Sequence, residues 1–143
     1  ALMPNAKDGL EYHRCDVLMA TIPAANGVSS ANALARIYAM HANDGIWQGR
    51  TVISKDVVSR MRAIQTDGFD AVMPANMHWR MGFHRLFSLQ DVPDGYGHKG
   101  YNGSVAFCEP SRRLSFVSIH NIDSTMVNDV RQFALSEMAL QYF

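Results

Sequence analysis

Between Gly95 and Ser104 the sequence reads Gly-Tyr-Gly-His-Lys-Gly-Tyr-Asn-Gly-Ser, four glycines within nine residues bracketing one His and one Lys just before a β-prone run. Glycine permits positive φ and lets another group approach the backbone closely. Imidazole titrates near neutrality and can move a proton. Such a segment can cradle a phosphate or lie along a ligand as a strand edge. A phosphate loop draws on the positive N-terminus of a following helix, and no helical pattern follows here, so the strand edge is the better reading.

The remaining candidates are weaker. Six histidines raise the question of a metal, but His78 and His84 are six residues apart with no HExxH pattern or carboxylate pair; they read as surface or partly satisfied histidines. Trp79, Met81, Phe83 and Phe87 can line an apolar pocket, with ordinary core as the simpler account. Arg112-Arg113 can clamp an anion, although a pair between two strands defaults to a solvated turn. Cys15 and Cys108 match no CxxC or zinc spacing and read as independent free thiols. Nothing in the sequence calls for a cofactor.

A chain of 143 residues, 48% hydrophobic and 18% charged, can pack a core as one domain or part of one. Thirteen basic and thirteen acidic residues cancel without forming runs, which excludes the electrostatic footprint of a nucleic-acid or anionic-membrane partner. No apolar run approaches the ~20 residues of a membrane helix. The opening ALMPNAKDGL lacks a basic n-region followed by an apolar stretch, so the chain reads as soluble without an address, and its compartment stays open. A start on Ala fits processing or trimming.

The elements that must position the Gly-rich segment follow from periodicity. Residues 1–28 read as loop-like, with Val17–Ile22 able to form a short strand. Residues 29–68 read as two helices. Ser29 or Ser30 can cap the first, where Leu34, Ile37, Tyr38 and His41 share a face; Ser54 can cap the second, with Val57, Val58, Met61 and Ile64 on one face as far as Asp67-Gly68. Residues 79–121 read as strands. Trp79–Arg85 alternate, and Ser104–Cys108 and Leu114–His120 form a hairpin joined by Glu109–Arg113, the second strand apolar enough on both faces to be central. Residues 124–143 read as a C-terminal helix packed on the sheet through Val127, Val130, Ala134 and Met138. Helices first, then antiparallel strands with a terminal helix, make an α+β fold.

These residues resemble the C-terminal part of the penicillin-recognising serine hydrolases, the family of serine β-lactamases, DD-peptidases and related esterases. His98-Lys99-Gly100 is similar to the third active-site motif, written KTG in β-lactamases and often HxG in the esterase-like branch, with Gly103 and Ser104 completing a GHxGxxGS pattern. Ile22–Gly27 through Ala35–Tyr38 resembles the P-x-x-N-G…A-R-x-Y/F helix start, and Gly45–Ser54 with Val57 the G…G..L-S...V element. Phe107–Pro110 and Ser115–Asn121 resemble the F-x-D/E-P hairpin and closing strand. The likeness runs collinearly over most of residues 20–143.

The resemblance implies a partial β-lactamase/transpeptidase-like fold, with all of 1–143 a C-terminal portion of such a domain. It implies that His98 takes the third-motif position that orients a substrate carboxylate or a catalytic proton, and that Tyr101 N–H is the oxyanion donor. Gly100 and Gly103 would keep the strand bare, and Lys99, Asn102, Gly103 and Ser104 would contact substrate. A His in place of Lys points to the esterase-like branch. The nucleophile motif SxxK is absent, since no serine has Lys three residues later. The second motif, Tyr-x-Asn or Ser-x-Asn, also reads as missing, Tyr101 and Asn102 being adjacent.

The expectation is therefore a hydrolase portion, inactive alone, that would act on an ester, amide or lactam only with its N-terminal half. A non-catalytic binding or assembly module of the same fold and an unrelated α+β domain are the alternatives. Without that half, an open strand edge and an uncovered apolar face invite self-association or a complementing chain.

Overall fold

The second half of the chain folds around a four-stranded antiparallel sheet in the order β3 (His84–Arg85), β4 (Tyr96–Lys99), β5 (Val105–Glu109), β6 (Leu114–Ser118). The computed structural model describes residues 14–23, 27–100, 103–120 and 130–143. Tyr96 lies opposite Cys108 and Lys99 opposite Val105, while Val105 lies opposite Ser118 and Glu109 opposite Leu114. Successive side chains point to opposite faces of a strand, so this register sorts them into two sets. Tyr96, Ala106 and Cys108 bury against Tyr38 and Ala42 of helix α2 (Ala31–Ala42). Val105 and Phe107 bury on the other face with Leu86 and with Leu140 of helix α4 (Arg131–Tyr142). Because both faces of β5 are covered, Val105–Cys108 is apolar through four successive positions. The fold is the α+β arrangement that the element order implied.

Of the two serines offered for the first cap the structure uses Ser30, and Ser54 caps the second helix as expected. Ser30 Oγ accepts from Ala33 N–H at 3.2 Å at the start of α2, and Ser54 Oγ accepts from Val57 N–H at 3.4 Å at the start of α3 (Lys55–Arg62). Between these helices the chain folds as a hairpin of β1 (Ile46–Trp47) and β2 (Arg50–Thr51). Its two-residue turn, Gln48-Gly49, has positive φ at both positions (49° and 77°), the form that matches strand twist.

Several expectations need correction. Helix α1 (Cys15–Met19) occupies the opening segment where Val17–Ile22 was expected as a strand; Leu18 N–H donates to Arg14 O at 2.9 Å, and the Arg14 guanidinium pairs with Asp16 in the first turn. α3 stops at Arg62, short of Asp67-Gly68, because the Arg62 carbonyl accepts from Arg80 Nε at 2.8 Å and the chain turns extended at Ala63. Of its expected apolar face only Val58 is buried. The alternation over Trp79–Arg85 yields only the two residues of β3. Arg80 N–H donates back to Phe83 O at 2.8 Å and Gly82 has φ 82°, so residues 80–83 turn away from the sheet.

The C-terminal helix buries a different face from the one expected. Gln132, Ser136 and Leu140 point inward, while Val130 and Met138 are 71% and 54% exposed. Ser136 Oγ donates to Gln132 O at 2.6 Å, which satisfies the hydroxyl inside the packed face. Val127 lies outside the described residues. The Glu-Pro step after β5 has a local explanation: Glu109 Oε1 accepts from both Ser111 N–H (3.1 Å) and Ser111 Oγ (2.7 Å), capping the 3₁₀ turn Pro110–Arg112 that delivers the chain to β6.

Candidate active site

β4 and the turn after it carry the His-Lys-Gly motif. Gly100 N–H donates to Ser104 O at 2.7 Å and Gly103 N–H to Gly100 O at 3.1 Å, closing the connection from β4 to β5 with Gly103 at φ 91°. A side chain at residue 103 would be strained in that conformation. At Gly97 the requirement is space: a Cβ there would sit 2.2 Å from Ala106 O and 2.5 Å from Phe107 Cα. The glycine pattern is therefore partly structural, set by how closely β4 lies on β5.

A cleft of about 490 Å³ opens between α2 and this end of the sheet. His98, Gly100 and Ser104 form one side, and Leu34 and Tyr38 of α2 with Val28 before it form the other. His98 keeps an exposed edge, and desolvation of the rest of its ring holds its pKa below the ordinary imidazole value. That shift favours the neutral ring, which can accept or donate a proton.

Lys99 goes elsewhere. As the next residue on the strand it faces α4, with Nζ 3.4 Å from Phe87 O and 5.1 Å from the centre of the Phe133 ring. The structure thus brings His98, Gly100 and Ser104 together around the cleft and takes the Lys99 ammonium to the opposite face. Tyr101 and Asn102 lie outside the described residues.

Beneath the cleft the polar groups are buried and inert. His41 Nδ1 lies 3.1 Å from the Tyr96 hydroxyl, and burial pushes the Cys108 thiol up to about 12, well away from a reactive thiolate. Burial likewise pushes the Tyr38 phenol up to about 12. His84 Nδ1 donates to Arg85 O at 2.7 Å while its Nε2 accepts from Lys99 N–H at 3.0 Å. Burial lowers its pKa to about 4, with His98 and Lys99 nearby adding to the effect.

Other candidates are accounted for structurally. Trp79 Nε1 donates to Asp70 at 2.7 Å, Phe83 packs on Tyr38 and Tyr96, and Met81 is 52% exposed, so the aromatic run lines no single pocket. Arg112 bonds the carbonyls of Leu140 and Asp91, tying α4 and the preceding loop to the turn. His78 pairs with Asp67 at 3.1 Å. Ser30-Ala31-Asn32 does have the Ser-x-Asn spacing read as missing, but Ser30 is the α2 cap and Asn32 lines a second groove of about 400 Å³ between α2 and β6. That groove holds none of the motif residues. The cleft wall from α2 was not legible as a site residue by residue; only the helical register that puts Leu34 and Tyr38 on one face pointed toward it.

No protein-family profile matches the chain. Over 108 residues it is 36% identical to the esterase/β-lactamase LipL of Mycobacterium tuberculosis (strain ATCC 25618 / H37Rv), covering 73% of this chain and 24% of that protein. Its fold matches the crystal structure of a novel penicillin-binding protein homolog from Caulobacter crescentus with a TM-score of 0.72 at 30% identity, over 80% of this chain and 32% of that one. It also matches a family VIII carboxylesterase with a TM-score of 0.67 at 26% identity, over 77% of this chain and 31% of that one. The chain spans about a quarter of the curated relative and about a third of the solved structures. These likenesses remove the reading of an unrelated α+β domain, and the chain belongs to the penicillin-recognising serine hydrolases, of which it represents a part.

Proposed function

We propose that this chain is the C-terminal portion of a β-lactamase-related esterase and supplies one wall of an acyl-transfer site, with the attacking serine coming from outside residues 1–143. The observation that carries this reading is the cleft itself: the residues that match the third motif, His98 and Gly100, meet there. A neutral imidazole suits proton transfer to or from a reacting alcohol, which favours an ester substrate over one held through a fixed cation. Tyr101 N–H is the oxyanion donor in this reading; one such donor is worth about 2.7–4 kcal/mol in acyl transfer. Asn102, Gly103 and Ser104 border the bound substrate, while Lys99 steadies the strand from its other face.

The chain alone is expected neither to turn over a nitrophenyl ester nor to be labelled by a serine-acylating fluorophosphonate. Labelling of any serine in the isolated chain would overturn the assignment of the nucleophile to another segment. In the complete natural protein His98→Ala is expected to lower kcat for the same ester by about 10²-fold or more. If the complete protein lacks SxxK and is inert, the non-catalytic binding module takes the place of this reading.

A further inference from the structure

We propose that His84 is a positioning residue for the motif strand, its side chain standing in for a neighbouring strand that ends too early. Antiparallel pairing has a period of two. Leu86 N–H donates to Gly95 O at 2.9 Å, and His84 lies opposite Gly97, so the next position in register, opposite Lys99, belongs to residue 82. The backbone has already left: Arg80 N–H holds Phe83 O, and Gly82 sits in the turn. Lys99 N–H would then point at nothing along the edge of β4, between the two motif residues that face the cleft, His98 and Gly100. The imidazole of His84 folds into that gap, with Nε2 accepting from Lys99 N–H at 3.0 Å and Nδ1 anchored on Arg85 O at 2.7 Å.

The surroundings fix both the tautomer and the place of the ring. Trp79 meets it edge to face at 5.7 Å, Phe87 lies at 6.0 Å and the His98 ring at 5.3 Å, and His84 is 5% exposed. The charged or titratable groups facing it are His98 and Lys99 from β4 and Arg80 from the preceding turn, while Arg85 of its own strand contributes its backbone carbonyl. With both nitrogens committed, only the neutral ring can hold Lys99; a protonated Nε2 becomes a donor and repels the amide. Holding Lys99 holds its neighbours His98 and Gly100, so the position of the cleft wall depends on a residue outside the motif. That consequence for catalysis rests on the acyl-transfer reading; the positioning does not.

Amide hydrogen exchange on the 143-residue chain tests it. His84→Phe keeps a ring but no acceptor, and is expected to reduce protection of the Lys99 amide by about tenfold, the size of one net hydrogen bond. Phe107 and Phe116 in β5 and β6 should keep theirs. His84→Gln, whose amide oxygen can reach the same donor, is expected to restore Lys99 protection. In the unaltered chain, protection at Lys99 alone should fall as pH drops through about 4. Unchanged Lys99 protection in His84→Phe, or equal losses at Lys99, Phe107 and Phe116 in both variants, would overturn the proposal; if His84→Phe does not fold, the Gln variant and the pH arm decide. In the complete protein, ester kcat should fall with Phe and recover with Gln. An inert complete protein would sink the acyl-transfer reading and leave the exchange result standing.

Discussion

The glycines of the motif do different work, and substitution separates them. At Gly97 a Cβ would meet backbone atoms of Ala106 and Phe107 at 2.2 and 2.5 Å, which no side-chain rotation relieves. Gly97→Ala is expected to cost about 3 kcal/mol or more, read from urea unfolding. At Gly100 the nearest atom is Ser104 O at 3.2 Å, a close contact that a small shift of that carbonyl relieves, so Gly100→Ala should cost clearly less than Gly97→Ala and intrude on the cleft instead. Comparable destabilisation in the two variants would contradict this division. His84 gives the residue scale a pH signature. Its folded pKa of about 4 lies below the ordinary 6.5, so between those values the unfolded chain binds more protons. Its contribution is complete above about 6.5 and is lost as pH falls toward about 4, on the order of 2–3 kcal/mol. Urea midpoints at pH 7 and pH 5 should differ less in His84→Gln than in the unaltered chain; a part of the slope remains, since His41 and His98 are shifted in the same direction.

Among the elements, helix starts were legible and buried faces less so. Ser54 was identified by type and context and the first cap narrowed to Ser29 or Ser30, because capping is a local hydrogen bond between neighbours in sequence. Ser30→Ala is expected to destabilise by about 1 kcal/mol in thermal or urea melts, since Ala33 N–H loses its acceptor; a change near zero would mean that another group takes over the cap. α4 shows the opposite case. Its apolar residues Val130, Ala134 and Met138 share a helical spacing, yet the face turned to the sheet is Gln132, Ser136 and Leu140. Helical period fixes which residues share a face, and only the partner surface decides which face is buried. The rhythm of Trp79–Arg85 failed for a related reason. Alternation was present, but Gly82 and the bond from Arg80 N–H to Phe83 O turned the chain before a ladder could form.

On the scale of the whole molecule, β6 stands at the edge of the sheet with no strand on its outer side among the described residues, although its Leu-Ser-Phe-Val-Ser sequence reads as central. Leu135, Met138 and Tyr142 of α4 are 44%, 54% and 78% exposed. An unpaired edge beside exposed apolar side chains favours pairing with another chain. Light scattering of the isolated chain is expected to show a mass that rises with concentration, and co-expression with the rest of the natural protein should suppress that rise. A strict monomer at high concentration would count against an incomplete sheet. By itself the sequence determined the α+β class, the helix caps, the family and the motif His98-Lys99-Gly100, because each rests on local hydrogen bonds, periodicity or residue order. Only the tertiary structure decided that His98 and Lys99 face opposite sides, that α2 supplies the other wall of the cleft, and that His84 completes the strand. Those relations depend on which residues meet across the sheet, and contacts between segments far apart in sequence leave no mark on the spacing within either one.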